Sequence, residues 1–379
     1  MQDNPSIQFD DQRLAKRQQL IEAGVPMYPH EFRRSHTIAE IRAKYTQVGH
    51  DPSSDQVITA GRLYGVRDHG KTFFADLRDE TGRIQLYIRK DALPEGKFQM
   101  FKSSIERGDI IGVTGRIFKT KVGEISIFVD DIILLTKTLC SLPEKFHGLT
   151  NLEKRYRQRY LDLIVNEESR ETFRTRSRII SLLRNYLTGQ GFLEFETPTL
   201  QPLYGGANAR PFTTFHNFLG QKLYLRIAPE LYLKRLVVGG FEKVFEVAKN
   251  FRNEDIDTSH NPEFSMVEIY QAYADYTDMM KLTEGIISSI VHDVTGSYEV
   301  AFEENTISYK APWTVMSMEE AVRTIGKVDI FAHDLESLKK IGKEKGVDGI
   351  DDVHTQREML VLFFEALVED KLIQPTFIT

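Results

Sequence analysis

Hydrophobic and polar residues alternate with a period of two from about Val57 to Leu135, a pattern that predicts β-strands. The strand candidates are residues 57–63, 73–77, 83–88, 110–118 and 125–135. Residues 98–106 lie between the third and fourth candidates and are typical of a helix. Five short strands with one helix before the fourth follow the order of an OB-fold barrel.

Helical spacing of apolar residues replaces this alternation elsewhere in the chain. The predicted helices are residues 12–23, 152–165, 168–188 and 277–294. A capping box, Ser317 with Glu320, predicts the start of another helix. Strands are expected to dominate from Phe192 to Tyr273.

These patterns predict an α+β protein, in which an N-terminal five-stranded OB-fold precedes an antiparallel sheet flanked by helices. The expected parts are a helical extension (1–54), the barrel (55–140), a linker helix (141–165) and a larger domain (166–379).

Composition narrows the class of protein. The single cysteine, Cys140, excludes an internal disulfide and indicates a reducing compartment, so we expect the cytoplasm. No apolar stretch approaches the length of a membrane span. The net charge of −6 gives no basic field over the whole chain, so contacts with nucleic acid would need local patches.

Residues 65–72 fit the phosphate-loop pattern G-x-x-x-x-G-K-T. A phosphate loop must open a helix, because the helix N-terminus helps to hold the phosphates. Here Thr72 is followed by a strand candidate and a turn. We therefore interpret residues 65–72 as a connection between two barrel strands.

A local basic patch lies in the predicted barrel, where residues 61–90 carry seven Arg and Lys against four Asp and Glu. Phe73 and Phe74 lie within it, and strand alternation points only one of them inward. The outward phenylalanine could stack on an unpaired base. The residues alone leave RNA binding and an ordinary barrel face equally open.

The densest polar stretch is a predicted strand over residues 243–254, followed by a loop (255–262) and a second strand (263–270). If the strands are antiparallel, their polar faces form one surface, with Glu246, Ala248, Asn250, Arg252 and Glu254 from the first strand and Phe264, Glu268 and Tyr270 from the second. This surface suits a ligand that carries a phosphate, an aromatic ring and an ammonium group. A solvated sheet face with ion pairs fits the same residues.

The chain also resembles the class II aminoacyl-tRNA synthetases. Residues 251–254 (FRNE) with 260–264 (HNPEF) resemble their motif 2, and residues 191–198 (GFLEFETP) resemble motif 1, whose Pro198 implies a homodimer interface. Further strings resemble the lysyl-tRNA synthetase family within the aspartyl, asparaginyl and lysyl subgroup: residues 159–164, 205–212, 228–234 and 270–276. The resemblance covers nearly the whole chain.

This resemblance implies an ATP-dependent ligase that activates L-lysine and transfers it to lysine tRNA. It implies that the barrel reads the anticodon, with Phe74 stacking and with Arg67 and Gln85 contacting base edges. The implied partner is RNA, with no DNA and no membrane.

The resemblance also implies roles in the larger domain. ATP would be bound by Arg252, Glu254, His260 and Phe264, of which the first three would be catalytic. Lysine would be bound by Gly206, Glu230, Glu268 and Tyr270. Both chemical steps would need positioning and charge stabilisation but no protein nucleophile.

The sequence departs from the family at two places. Ser259 stands where many members carry arginine. Motif 3, the Mg²⁺ ligands and a carboxylate that selects the lysine side chain have no counterpart before Thr379, so we expect them beyond residue 379 and expect this chain not to activate lysine. Two alternatives stay open: a non-catalytic fragment that binds tRNA and dimerises, and another synthetase of the aspartyl and asparaginyl subgroup.

Overall fold

The computed structural model describes residues 9–143, 149–257 and 259–379. The chain divides into two compact units, Met1–Ser169 and Arg170–Thr379. Helix α6 (Glu167–Gly189) runs across the boundary between them. Each unit is described below by itself.

The first unit contains a closed barrel of five strands in the order β1-β2-β3-β5-β4. The strands are β1 (Gln56–Asp68), β2 (Thr72–Arg78), β3 (Arg83–Arg89), β4 (Ile110–Lys119) and β5 (Ile125–Thr136). The helices are α1 (Asp11–Glu22), α2 (Ile38–Lys44), α3 (Lys97–Ser104), α4 (Leu152–Arg157) and α5 (Arg159–Val165). Since β3 pairs with β5 in parallel and β1 closes on β4, the predicted OB-fold is confirmed.

Alternation along β2 separates the two neighbouring phenylalanines, as predicted. Phe73 is 3% exposed and packs against Phe98 and Phe101 of α3, with ring centroids 5.3 and 5.2 Å away. Phe74 points out of the barrel and is half-buried. The outward ring is therefore available for contacts on the barrel surface.

The phosphate-loop pattern lies in the barrel without a helix after it. Only residues 69–71 connect β1 to β2, because β1 extends to Asp68 through an irregularity between Leu63 and Gly65. The strand predicted from the sequence ended at residue 63 and was therefore too short.

The predicted single helix over residues 152–165 is wrong, because Gln158 leaves the helical conformation (φ −118°, ψ 55°) and separates α4 from α5. The break lets Arg155 and Arg159 both reach the buried carboxylate of Asp162. In an unbroken helix Arg155 and Asp162 would be about 10 Å apart along the axis.

The second unit combines short sheets with helices. Its strands are β6 (Leu193–Glu194), β7 (Leu200–Gln201), β8 (Thr213–His216), β9 (Gln221–Leu225), β10 (Lys243–Phe251), β11 (Glu263–Gln271), β12 (Glu299–Phe302), β13 (Asn305–Ser308), β14 (Thr314–Met316) and β15 (Thr376–Ile378). Its helices after α6 are α7 (Glu230–Val238), α8 (Tyr276–Thr295), α9 (Met318–Thr324), α10 (Leu335–Glu344) and α11 (Gln356–Leu367). Ser317 caps α9 by accepting a hydrogen bond from Glu320 N. Helix α7 lies in the region where strands were expected to dominate.

The hairpin of β10 and β11 is the frame of this unit. The strands are antiparallel, as predicted, and β6 pairs with β10 in parallel. Phe245 of β10 is fully buried and packs in one apolar cluster with Leu187 of α6 and Ile286 of α8. Because one face of the hairpin is covered in this way, the opposite face is left for polar side chains.

Candidate functional site

The three barrel residues singled out in the sequence line one cavity. It has a volume of about 660 Å³, and Arg67, Phe74 and Gln85 share its lining with Tyr87. Strand pairing brings them together, since Phe74 lies opposite both Arg67 on β1 and Tyr87 on β3. We call these four residues the strand wall.

The strand wall combines aromatic faces with hydrogen-bond donors. The ring of Phe74 lies 5.0 Å from that of Tyr87, which leaves Phe74 at the edge of an aromatic cluster. Gln85 is 7% exposed, and its Oε1 accepts a hydrogen bond from Ser126 Oγ at 3.1 Å. Its amide nitrogen, Nε2, forms no hydrogen bond among the described residues. The wall thus offers a stacking surface beside an amide donor.

The positive charge of Arg67 in the strand wall is partly neutralised by a nearby carboxylate. Arg67 is exposed, and its nearest carboxylate is Asp76, with Nη2 and Oδ1 3.9 Å apart. Asp76 is bound more closely by Arg83, at 2.7 Å. Because Arg83 already pairs with Asp76, the guanidinium of Arg67 remains able to bind an acceptor in the cavity.

A second wall of the cavity was missed in the sequence. It consists of residues 118–122, Glu124 and His50, and we call it the loop wall. Lys119 and Lys121 make this wall basic, and the side chain of Val122 is 89% exposed. The basic connection between two strand candidates was a usable signal, but His50 lies too far away in sequence to be assigned to the barrel.

The polar face predicted for the β-hairpin of the second unit is confirmed by the register. Glu246 lies opposite Glu268, Ala248 opposite Met266, and Asn250 opposite Phe264. Arg252 and Glu254 follow the end of β10, and Arg252 N still donates to Pro262 O at 2.9 Å. The side chains of even number on the two strands therefore point to one surface.

Arg252 and Phe264 form the aromatic and cationic part of this surface. The guanidinium carbon lies 5.1 Å from the centre of the Phe264 ring, a cation–π distance. Within the described residues, Arg252 Nε is buried without a hydrogen-bond partner. An unsatisfied buried donor on a forked cation indicates a site for an oxyanion.

In the loop of the hairpin, Glu254 and His260 bind different partners. Glu254 Oε1 accepts from Arg210 N at 3.1 Å, which ties it to residues 205–210. His260 is exposed and pairs with Asp257 at 2.7 Å, and this hydrogen bond lowers the pKa of Asp257. The contact with Asp257 was missed, because one aspartate in a loop gives no pattern. Ser259 N also donates to Asp257, at 2.7 Å.

Gly206, Glu230, Glu268 and Tyr270 form an acidic cluster. Gly206 has φ +87°, and a Cβ there would lie 2.8 Å from Glu230 Cβ, so only glycine fits. Tyr270 Oη donates to Glu268 Oε2 at 2.9 Å. Lys234 contacts this cluster from α7, with Nζ 2.8 Å from Glu230 Oε1 and 5.8 Å from the Tyr270 ring.

Burial and neighbouring carboxylates raise the pKa values of two groups in this cluster. Burial raises the pKa of Glu268, nearby Glu230 and Glu246 raise it further, and the hydrogen bond from Tyr270 opposes the rise. Burial and the contact with Glu268 raise the pKa of Tyr270 above its ordinary value. Such a half-buried pair of carboxylates favours a cationic ligand.

Glu246 belongs to the same face but is already satisfied. It is 3% exposed, and its Oε1 binds Arg226 Nη1 at 2.6 Å. Its Oε2 accepts from Thr197 Oγ1 at 2.6 Å. The sequence had grouped Glu246 with the ligand-facing residues, but Arg226, which was missed, makes it part of the interior. Pro198 follows Thr197 and is exposed.

The described residues contain neither a candidate metal site nor a candidate membrane span. In residues 9–143, 149–257 and 259–379, no three His, Cys, Asp or Glu side chains are grouped so that they could hold a metal ion. Over the same ranges, no helix is long and apolar enough to cross a membrane.

Comparisons with protein families match both parts of the chain. A family described as "tRNA synthetases class II (D, K and N)" matches residues 151–379. A second family, described as "OB-fold nucleic acid binding domain", matches residues 57–135.

Individual relatives agree with these matches. The lysine–tRNA ligase of Methanospirillum hungatei JF-1 is 99% identical over 379 residues, which are 100% of this chain and 75% of that protein. The lysine–tRNA ligase of Methanoculleus marisnigri is 59% identical over 378 residues, covering 100% and 74% of the two chains. That of Nostoc sp. is 46% identical over 375 residues, covering 97% and 67%.

Proposed function

This chain belongs to the class II tRNA synthetases of the aspartate, lysine and asparagine group, and within that group to the lysine–tRNA ligases; from this premise we propose how its residues bind ATP, lysine and lysine tRNA. The ligase activates lysine with ATP and joins it to tRNA. The quoted relatives are all lysine–tRNA ligases, which favours lysine over aspartate or asparagine.

The observation that carries the proposal is the cavity shared by Arg67, Phe74 and Gln85. We propose that it takes a base of the anticodon, which stacks on Phe74. The free amide of Gln85 and the guanidinium of Arg67 then donate hydrogen bonds to the acceptor atoms on the base edge. Stacking of one base on an aromatic side chain is worth about 1–3 kcal/mol, enough to fix an anticodon loop that is otherwise mobile.

The acidic cluster is the proposed lysine site. We assign Glu230 and Glu268 to the α-ammonium group, and the absence of a side chain at Gly206, next to Glu230, supports this assignment. Tyr270 already donates its proton to Glu268, so a lone pair of its hydroxyl can accept from the ε-ammonium group. The raised pKa of Glu268 supports this role, since two close carboxylates are stabilised by a bound cation.

ATP is proposed to lie against Arg252 and Phe264. The unsatisfied Nε of Arg252 supports contact with the α-phosphate, and Phe264 can stack on the adenine. Glu254 is assigned to the adenine side and His260 to the departing pyrophosphate. Both are exposed, so both are accessible to a nucleotide in the loop.

In the proposed mechanism a carboxylate oxygen of lysine attacks the α-phosphorus of ATP. A new P–O bond forms as the bond to pyrophosphate breaks. The terminal ribose hydroxyl of tRNA then attacks the carbonyl carbon, loses its proton and releases AMP. Arg252 stabilises the negative charge on the α-phosphate, and the other residues orient the reactants.

The remaining parts of the proposal are the metal, the partner subunit and the compartment. Mg²⁺ is proposed to accompany ATP, because the chain belongs to the class II synthetase family. Pro198 is exposed, which is compatible with a homodimer interface at motif 1. The single cysteine, Cys140, supports the reducing cytoplasm.

Two measurements test the proposal. Phe74→Ala should weaken binding of a stem-loop RNA with the lysine anticodon by about 5- to 150-fold, since about 1–3 kcal/mol is lost. Equal affinity of the two proteins would contradict anticodon reading. Lysine-dependent exchange between ATP and pyrophosphate, measured in an enzyme of the relatives' full length, tests activation, and exchange stimulated equally by aspartate or asparagine would contradict the lysine site.

A further inference from the structure

The loop wall of the barrel cavity is built as firmly as the strand wall. Residues 120–124 form a tight turn, in which Thr120 N donates to Glu124 O at 2.9 Å and Gly123 N to Thr120 O at 2.8 Å. Gly123 has φ +88°, which suits glycine. Phe118, at the end of β4, packs its ring 5.6 Å from Tyr87. This wall is therefore an ordered surface in the free protein.

His50 reaches this wall from the segment before the barrel. Lys119 N donates to Gly49 O at 2.7 Å, and Ser53 N donates to Ile117 O at 2.8 Å. These backbone hydrogen bonds hold residues 49–53 along the end of β4. The ring of His50 is consequently fixed at the mouth of the cavity, although the predicted domain boundary had placed it outside the barrel.

The hydrogen bond made by His50 defines its chemistry. Its Nδ1 lies 2.9 Å from the carbonyl oxygen of Lys119. A carbonyl oxygen only accepts hydrogen bonds, so Nδ1 carries the proton. In the neutral ring Nε2 is then an acceptor, whereas Gln85 Nε2 and the guanidinium of Arg67 are donors. Of the residues that line the cavity, Gln85 and Arg67 thus supply two hydrogen-bond donors, and the neutral ring of His50 supplies one acceptor.

We propose that His50 is a further RNA-binding residue, whose Nε2 accepts a hydrogen bond from a nucleotide held in this cavity. The cavity, at about 660 Å³, has room for more than the base that stacks on Phe74. The donor on the RNA is either a ribose 2′-hydroxyl or a base N–H. The inference rests on the proposed anticodon reading and adds a specificity-determining residue to it.

Two substitutions of His50 distinguish between its two possible roles. In one role the ring accepts a hydrogen bond from RNA, and in the other it only anchors the segment to Lys119 O. In His50→Asn the amide nitrogen replaces Nδ1 and keeps the bond to Lys119 O, but nothing replaces Nε2. In His50→Gln the longer side chain can place its Oε1 near the position of Nε2, but the bond to Lys119 O is lost. The two roles therefore predict opposite orders of affinity. His30→Asn is the matched control, because His30 is exposed and does not line the cavity.

The measurement is the dissociation constant for a fluorescent stem-loop RNA with the lysine anticodon, at one salt concentration, with this chain and its variants. We expect His50→Asn to bind about three- to tenfold more weakly, the effect of one lost hydrogen bond, and His50→Gln to bind more tightly than His50→Asn. Equal affinities of wild type and His50→Asn would overturn the inference. The inference would also be overturned if His50→Gln bound RNA as weakly as His50→Asn, or more weakly. That order of affinities is expected if His50 only anchors the segment to Lys119 O.

A second RNA, with 2′-deoxy sugars in its loop, identifies the donor. If a 2′-hydroxyl donates, wild type and His50→Asn will bind this RNA equally; if a base donates, the difference between them will persist. Phe74→Ala keeps the inference separate from its premise. Weaker binding by Phe74→Ala with normal binding by His50→Asn refutes the inference alone, whereas unchanged binding by Phe74→Ala refutes anticodon reading itself.

Discussion

Tyr270 and Glu268 stand on the same strand face, and the tyrosine hydroxyl donates a 2.9 Å hydrogen bond to the glutamate carboxylate. The bond stabilises the charged form of Glu268 against the burial that raises its pKa. It also fixes the direction of the hydroxyl, so that its oxygen lone pairs point away from Glu268. One hydrogen bond therefore prepares two groups for an ammonium ligand.

The first prediction is that lysine binding weakens in acid earlier than an ordinary glutamate would allow. As the pH falls through the raised pKa of Glu268, the carboxylate is protonated and loses its attraction for an ammonium group. Tyr270→Phe removes the opposing hydrogen bond, so the pKa of Glu268 should rise further and the midpoint should move to higher pH. Calorimetric titration of lysine between about pH 5 and 8 measures both curves.

The matched control for this change is Tyr273→Phe, since Tyr273 is 94% exposed and close in sequence. It should leave the pH profile of lysine binding unchanged. A Tyr270→Phe profile that coincides with wild type would show that the hydroxyl does not govern Glu268.

The second prediction concerns Arg252. Arg252→Lys keeps a positive charge but loses the fork that binds two phosphate oxygens and the stacking on Phe264. Loss of one preorganised donor to a transition state costs about 3–4 kcal/mol, so adenylate formation should fall by about two orders of magnitude or more. Lysine-dependent exchange of ATP and pyrophosphate, in an enzyme of the relatives' full length, measures this rate.

Arg323→Lys, at an exposed position on α9, is the control and should keep the normal exchange rate. A normal rate in Arg252→Lys as well would remove Arg252 from the proposed machinery. Normal lysine binding alongside a slow rate would place the defect in the chemical step.

The barrel was predictable from the sequence because alternation of apolar residues is a local signal. The same rule required that only one of Phe73 and Phe74 face the core, and the family resemblance then assigned Phe74 to the surface. Even spacing likewise predicted the shared polar face of the β-hairpin, which the pairing of Asn250 with Phe264 confirms.

What the sequence missed depends on contacts between distant residues. Arg226 binds Glu246, and Asp257 binds His260. The local sequence around these residues does not identify their partners. His50 joined the cavity through hydrogen bonds of the backbone around it, which side-chain patterns do not predict. Helix α7 had a usable start signal, since Pro229 precedes Glu230 at its first turn, but the surrounding strands outweighed it.

The third prediction concerns the buried carboxylate of Asp162. Burial alone would raise its pKa, but hydrogen bonds from Asn166, Ser169, Arg155 and Arg159 lower it to about 2. Because the folded pKa lies below the ordinary 3.8, this group stabilises the fold above that pH, and the contribution is lost as the pH falls toward 2. The difference corresponds to about 2 kcal/mol.

Asp162→Asn should therefore lower the free energy of unfolding of the first unit at neutral pH, and it should flatten the acid limb of that stability curve. Urea denaturation followed from about pH 2 to 7 tests this. Asp51→Asn serves as the control, since Asp51 lies in the first unit, is exposed and forms no ion pair among the described residues, so it should leave the curve unchanged. An acid limb as steep in Asp162→Asn as in wild type would contradict the assignment.

The last prediction compares a buried ion pair with an exposed one in the second unit. Arg226 and Glu246 are about 5% exposed as side chains, and Arg226 also donates to Thr197 O at 3.1 Å and to Lys249 O at 2.8 Å.

Arg226→Met leaves the carboxylate of Glu246 buried without a counter-charge, which should cost about 3–5 kcal/mol of unfolding free energy. Lys343→Met breaks the exposed pair with Asp351 and should cost less than about 1 kcal/mol. Urea midpoints of the second unit measure both, and adding Glu246→Gln to Arg226→Met should restore part of the loss, because the unpaired charge is gone. Equal effects of Arg226→Met and Lys343→Met would show that Glu246 is hydrated and not part of the interior.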